Sequence, residues 1–552
     1  MVSSDTTLDN LEVPTVNTIG HWAPAHTAPV FQAHRFGATL ADVRRPVHLL
    51  FDPERRCMGL GLDGAVYPSA SAPASAYPLM GTIPPLYPEW LGDRSFQETH
   101  GVRFAYIGGA MARGIGSAKL VIELARCGML GFFGAAGLPV ERVAREVATI
   151  KQALDPLGLS YGANLIHSPD EPGLEDQIVD LYLAQEVRRV SASAFTNLTP
   201  SVVRYAAKGL VRDATGRIER RNHVFAKISR PEIARLFMSP APESLLTPLV
   251  QAGLLTTEEA ELAQQVPIAE DITVESDSGG HTDNRPLNAL FPTILQLRSE
   301  LEARHGYLRP IRVGAAGSLG TPNSIAAAYA LGAAFVLMGS VHQAAVESGL
   351  SWEGKQLLAQ AGLADVMMTA AGDMFEMGVK VQVLKKGTMM GIRGNQLYDL
   401  YTRYDSLDEV PAPTRERLEQ TIFRMSLEEV WEQTRAYLAR RRPEEVERAE
   451  KNPRHKMARI FKWYFGMSSR WPLEGNHDRI LDYQIWCGPA MGAFNEWVKN
   501  SFLEPPEQRT IRQIALNMME GAARITRSHQ LRTYGLPLPP SHFSYTPVPL
   551  DI

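Results

Sequence analysis

The sequence predicts an α/β fold built on a parallel (β/α)8 barrel, and three observations carry that expectation. From about residue 100 to 345, short apolar runs alternate with amphipathic stretches of helical length. The alternation repeats about eight times. The helical stretches close near glycines that suit the position after a helix C-terminus. A doubly wound sheet would alternate in a similar way and stays open as an alternative.

The strand runs, in order, are Phe104–Ile107, Leu130–Phe133, Ser160–Ile166, Val187–Ser191, Val224–Ile228, Ile272–Val274, Ile311–Gly314 and Ala334–Met338. Between the fifth and sixth runs the crossover is far longer than an ordinary βα link. It predicts a helical lid inserted near 230–267, beside the strand ends where barrel active sites lie. Ahead of the barrel, residues 1–100 start polar and then give a strand pair, Val47–Phe51 and Cys57–Leu62. The Pro/Ser/Ala-rich stretch YPSASAPASAYPLMGTIPPLYPEW follows, so this part predicts a cap with an ordered linker. After the barrel (101–345) we expect a connecting segment (346–409), a mostly helical domain (410–535) and a Pro-rich tail (536–552).

Composition is that of a globular protein, 45% hydrophobic and 21% charged, and a net charge of -4 gives no reason for bulk binding to nucleic acid or anionic membrane. Cys57, Cys127 and Cys487 are widely spaced and odd in number, which predicts neither a disulfide framework nor a zinc site. No basic segment leads into an apolar run, and no stretch is apolar over the ~18 residues a membrane span needs. A cytoplasmic protein without a membrane span is the expectation.

Several stretches could carry chemistry. ESDSGGHTDN sets His281 after a Gly-Gly pair, at the end of the sixth strand run and between Asp277 and Asp283. Paired glycines suggest a sharp turn or a close approach, and Asp277 could hold the imidazole in one tautomer. No second histidine stands at ligand spacing, so no metal is expected. IGGAMARGIGSA, with Gly109, Ala110 and Met111, would let a flat ligand lie against backbone amides; a tight turn needing no Cβ explains it equally well.

VGAAGSLGTPNSI, with Gly314, Ala316 and Gly317, and VLMGS, with Gly339 and Ser340, are Gly-rich turns after the seventh and eighth runs. Those two turns form the usual phosphate site of such barrels. Asn164 could meet the polar edge of a ring or cap its own turn. Lys227, alone in an apolar strand, needs an anion; catalytic, cofactor-binding and ion-paired readings all stay open. A basic run from Arg435 to Arg442, with Lys451, Arg454 and Lys456, could meet an acidic partner or be a solvated face balanced by Glu444, Glu445 and Glu447.

Taken together, GGAMARGIGSA, LGFFGAAGL, GANLIHSP, SDSGGHTDN, GAAGSLGTP and VLMGS resemble the PfaD-type enoyl reductases of bacterial polyunsaturated fatty acid and trans-acyltransferase polyketide synthases. That family is similar in turn to flavin-dependent enoyl-ACP reductases and nitronate monooxygenases. The resemblance runs from about residue 85 to 535 and implies an FMN-binding TIM barrel with a helical second domain. It implies reduction of enoyl chains on an acyl carrier protein within a synthase complex, with NADPH as hydride donor, and leaves a homodimer open. Gly109, Ala110 and Met111 would line the flavin, Asn164 and Lys227 would meet it, and Gly280 would lie near it. Gly317, Gly339 and Ser340 would hold its phosphate, Gly314 and Ala316 are further expected cofactor-binding residues, and His281 matches an active-site position and is our candidate for the catalytic proton donor. This chain has Asp277-Ser278 where the smaller relatives have Glu-Ala before Gly-Gly. A nitronate monooxygenase-like flavoenzyme and a non-catalytic synthase scaffold are the alternatives.

Overall fold

The computed structural model describes residues 17–168, 171 and 173–551. The polar start before residue 17, Pro169 of the GANLIHSP run and Ile552 of the expected tail lie outside them. Eight parallel strands close into a barrel in chain order: β1 (Tyr106–Gly108), β2 (Leu130–Phe133), β3 (Gly162–Ile166), β4 (Arg189–Ser193), β5 (His223–Ile228), β6 (Asp271–Glu275), β7 (Arg312–Ala316) and β8 (Val336–Met338). Each falls on an expected run, so the doubly wound alternative is set aside.

Side chains alternate across a strand, so every second residue fills the barrel in layers. On β5 these are His223, Phe225 and Lys227, and on β6 Asp271, Thr273 and Glu275. The middle layer is apolar: Phe132, Phe225 and Phe335 pack with Phe96, which enters from helix Arg94–His100. Phe96 stacks on Phe335 at 4.7 Å and meets Phe225 edge-on at 6.2 Å. Each such ring contributes about 1.5–3 kcal/mol of burial.

The layer at the amino ends is charged and almost dry. Asp271 takes both forks of Arg312 at 2.7 and 2.9 Å and His100 Nε2 at 3.0 Å, and Arg189 donates to His100 Nδ1 at 3.3 Å. Burial would raise the Asp271 carboxyl, but Arg312 and His100 outweigh it and hold it far below the usual range. His100, His223 and Asp271 bring ligand-type atoms within 4.8 Å of one another. The Asp271 oxygens and His100 Nδ1 are already taken by guanidinium donors, so the cluster is an ion-pair floor and fits no cation.

Two expectations are corrected. The inserted helices are no lid: Pro231–Met238 packs on β5 and on helix Leu287–His305, while Glu243–Gln251 and Thr257–Ala263 pack on helix Pro200–Ala207. Glu259 accepts from Gly209 N–H at 2.8 Å and Lys208 Nζ at 3.1 Å, in the link that leads into the amino end of β5. The insertion therefore thickens the wall away from the strand C-termini. The expected connecting segment contains strands Val366–Ala370 and Lys380–Leu384, which pair antiparallel with each other, and the second also pairs antiparallel with a short strand, Gly280–His281. His281 is thus held by a small sheet outside the barrel.

By contact, Leu91–Met518 forms one compact unit together with the last residues from Thr546, and the expected helical region lies within it as the helices between Ala412 and Val498. The other unit joins Met1–Trp90 to Met519–Tyr545. It is a five-stranded antiparallel sheet, ordered Cys57–Gly61, Val47–Asp52, Tyr77–Ile83, Gly20–Pro24, Gly64–Tyr67, so the stretch expected as linker supplies a strand. Leu531 and Leu536 from the C-terminal part close its core against Phe36, Leu40 and Leu49. Among the described residues no helix is long and apolar enough to cross a membrane.

Candidate active site

The carboxyl ends of the strands gather most of the expected residues. Gly109, Ala110 and Met111 leave β1, Asn164 and Lys227 point inward near the ends of β3 and β5, and Ala316, Gly317, Gly339 and Ser340 follow or end β7 and β8. Lys227 has found a carboxylate: its Nζ lies 2.9 Å from Glu275 Oε1, which also accepts from Ser278 Oγ at 3.0 Å. Asn164 spends its amide nitrogen on the wall, donating to Ser191 O at 3.0 Å and Ser193 Oγ at 3.3 Å. Its Oδ1 accepts no hydrogen bond among the described residues and is the atom left for a ligand.

Two glycines owe their size to packing. A Cβ on Gly314 would sit 2.2 Å from the Phe335 ring, so this residue makes room for the apolar layer. On Gly109 it would meet Leu337 at 2.5 Å, so only its backbone can face a ligand. Gly134, which sequence reading did not single out, is more demanding: a Cβ there would lie 1.7 Å from the Met111 carbonyl. The loops after β1 and β2 interlock at this point, with Gly114 N–H donating to Gly134 O at 2.8 Å.

The Gly-Gly pair serves both purposes its sequence suggested. Gly280 turns the chain with φ +83°, and Gly279 lets the backbone of Cys487 come so near that a Cβ would be 2.7 Å from its nitrogen. His281, turned outward by this bend, pairs with Asp373 at 3.2 Å through Nε2. Burial lowers the imidazole pKa, but Asp373 outweighs it and the net shift is upward; Asp373 itself is held below the usual carboxylate range. Asp277 is not the partner, which corrects the expectation. It accepts from Asn284 and from Gln382, each at 2.8 Å, and so ties the turn to the small sheet. Asp283 is taken by Arg230, at 2.9 Å from both nitrogens.

The turns after β7 and β8 differ in what lies before them. Gly317, at φ +85°, is packed against Ser276 and Asp277, whereas a Cβ on Gly339 would have no neighbour within 4 Å. Ser340 Oγ accepts from Gly488 N–H at 3.1 Å. Gly488 belongs to a run, Trp486-Cys-Gly-Pro-Ala490, that sequence reading missed. It bridges to Val383, donates from Cys487 N–H to Gln382 O at 3.3 Å, and receives the Gln343 amide on Trp486 O. A Gly-Pro pair after Trp-Cys, inside an otherwise helical and charged region, was the available signal. Cys487 is buried, and burial pushes its thiol up to about 12, away from the thiolate form.

Replacing Gly279 by alanine is expected to push the Trp486–Ala490 run off the turn and lower cofactor retention together with thermal stability. Full retention of both would mean that the close approach is not needed.

The basic run is partly paired. Arg435 pairs with Glu432 at 3.1 Å, Lys451 with Glu447 at 4.0 Å and Arg454 with Asp405 at 2.9 Å, while Lys456 lies over Trp431 at 4.9 Å. Arg440 and Arg441 pair with no carboxylate among the described residues.

Residues 95–393 match the nitronate monooxygenase family, and residues 404–483 match the inserted helical domain of [acyl-carrier-protein] S-malonyltransferases. The chain is 48% identical over 450 residues to a polyunsaturated fatty acid synthase subunit of Thraustochytrium sp. and 43% identical over 454 residues to polyketide biosynthesis protein PksE of Bacillus subtilis. These alignments cover 80% and 82% of this chain but only 30% and 58% of the relatives' own lengths. Among solved structures, the enoyl reductase domain of MlnA, from the macrolactin biosynthesis cluster of Bacillus amyloliquefaciens, is 39% identical with a TM-score of 0.77, covering 81% of this chain and 99% of that one. An eight-stranded barrel whose carboxyl face carries these turns, a match over nearly all of an enoyl reductase domain, and relatives in a polyunsaturated fatty acid synthase and in polyketide biosynthesis agree: the chain belongs to the PfaD-type enoyl reductases of the nitronate monooxygenase family.

Proposed function

We propose that the chain is an FMN-dependent enoyl reductase that uses NADPH to reduce the 2,3-double bond of an enoyl thioester carried by an acyl carrier protein, within a polyunsaturated fatty acid or polyketide synthase. One observation carries the reading: a half-buried histidine, its pKa raised by Asp373 beside it, stands on the loop after β6, next to the Gly-rich turns that follow β7 and β8.

The residues present fit a flavin mononucleotide. The space before Gly339 is open, and the amides of Gly339 and Ser340 with the Ser340 hydroxyl would hold a phosphate. Asn164 Oδ1 would accept from the ring edge, and the Gly109–Met111 backbone would lie along the ring, with Lys227 and Gly280 close by. Once bound, the flavin supplies the hydride chemistry. The chain must then steady the thioester as its carbonyl gains negative charge, and must deliver a proton to the α-carbon. We assign that proton to His281; with Nε2 turned to Asp373, Nδ1 is left to donate it.

The test is anaerobic mixing of the purified protein with NADPH and then with a crotonyl thioester of a carrier protein, followed at the flavin absorbance. Bleaching, then reoxidation only on adding the thioester, is the expected result. Reoxidation by oxygen and a nitronate, but not by the thioester, would make the chain a nitronate monooxygenase. A colourless protein would make it a scaffold.

The pH dependence follows from the ion pair. A pKa raised above the ordinary 6.5 keeps His281 protonated at lower pH, and the donor is lost as pH rises through the raised value. Besides Asp373, Lys227 lowers and Glu275 raises it. Asp373→Asn should therefore move the alkaline limb of the reoxidation rate to lower pH, since burial is then opposed only by Glu275. A limb that stays in place would belong to another group.

A further inference from the structure

Two residues beyond Met111, the loop leaving β1 holds Arg113 in the left-handed region at φ 58°, its N–H fixed to Ala136 O at 2.8 Å. A long side chain is rarely placed there, and such outliers gather where geometry serves a ligand. The Arg113 guanidinium is half-buried and makes no hydrogen bond or ion pair among the described residues. Burial depresses its pKa, and the charges that face it are Arg470, which adds to the depression, and Asp373 and the Tyr437 hydroxyl, which oppose it. Arg470 is already paired with Glu474 at 2.5 Å. Across Gly114 lies Arg142, in the first turn of helix Val140–Leu154; a Cβ on Gly114 would be 3.5 Å from its Nη2. Arg142 likewise has no partner among the described residues.

A half-buried guanidinium that no carboxylate pairs with directly is costly, so an anion to pair with it is expected to arrive from outside. The position is one and two strands on from the turn after β8, so it is distinct from the turns assigned to the flavin phosphate. Asp373, the ion-pair partner of His281, is also one of the charges that face Arg113.

Resting on the enoyl reductase reading, we propose that Arg113, with Arg142 beside it, binds a phosphate ester carried by a reactant. The planar fork matches two phosphate oxygens at once. Two reactants bring such a group: the hydride donor, as its adenosine 2′-phosphate, and the thioester, as the phosphate of its pantetheine arm.

The test uses the flavin-loaded full chain with Arg113→Asn, since asparagine tolerates a positive φ, and Arg113→Lys, which keeps the charge. Bleaching is compared for NADPH against NADH, and reoxidation for crotonyl-phosphopantetheine against crotonyl-pantetheine. The binding of adenosine 2′,5′-bisphosphate and of phosphopantetheine is measured by calorimetry. In R113N one preference for the phosphorylated partner should fall at least tenfold, with R113K in between and flavin content unchanged. Loss of the NADPH preference assigns the 2′-phosphate, and loss of the other assigns the arm. The proposal is overturned if both preferences survive, if the unmodified protein has neither, or if R113N shifts only the pH limb of His281. Failure of the unmodified protein to reoxidise with any enoyl thioester would count against the reductase reading instead, and the calorimetry would still decide the phosphate site.

Discussion

His281→Gln is expected to slow reoxidation of the reduced protein by the enoyl thioester by about 10²–10⁴-fold, the usual loss when a positioned proton donor is removed. That is about 3–5 kcal/mol in the barrier. Glutamine nearly keeps the size of the imidazole and can still meet Asp373, so the strand pairing His281↔Val381 and the Gly-Gly turn should persist. An amide cannot give a proton to carbon, so the loss should fall on this step alone. Flavin content and bleaching by NADPH should stay as they were. A loss of less than about tenfold would mean that water or Lys227 supplies the proton.

The largest effect on stability is expected from Arg312→Met at the barrel floor. Arg312 and Asp271 are 4% and 1% exposed at their side chains, and the substitution would leave a buried carboxylate with only His100 against it. Breaking a buried pair from one side costs about 3–5 kcal/mol. The pH dependence has a definite sign. Because the Asp271 pKa is depressed on folding, its stabilisation is present above the unfolded value of about 3.9 and is lost as pH falls through the folded one. The gap between variant and unmodified protein should be widest near neutral pH and narrow in acid. Urea unfolding at pH 7 checks it, and equal midpoints would show that the floor network is dispensable. The double variant Asp271→Asn/Arg312→Met should lose less than the sum of the single losses, since each partner alone is the liability.

The barrel was legible because its signal is local and repeated: an apolar run, a helix and a glycine stop, which nearby residues determine. Lys227 was legible as a charge needing a partner, but not Glu275, since the pairing depends on two strands lying side by side in register. The His281 partner was misread for the same reason. Asp277 is close in sequence, yet the bend at Gly280 carries the imidazole to Asp373 in a loop of the small sheet, 92 residues further along the chain. That sheet was itself hidden, because Gly280–His281 is too short to show alternation and its partners lay in what looked like a connection. The lid was inferred from length alone, and length does not say on which side of the barrel an insertion packs. The Trp486–Ala490 run had no periodicity to announce it; its meaning lies in the backbone that touches Gly279.

The closure of the N-terminal sheet by the C-terminal part of the chain also bears on how the protein is made. Arg527 donates to the Val43 carbonyl at 3.2 Å across 484 residues of sequence, and Leu531 completes the apolar face that Phe36 and Leu40 begin. At ordinary ribosomal speeds that separation takes on the order of a minute to translate. Throughout that time the sheet strands already made are left with an uncovered greasy face. The nascent chain is then a natural client for holdase chaperones, and this sheet should acquire protease resistance only after Met519–Tyr545 has been made, later than the barrel that is translated in between.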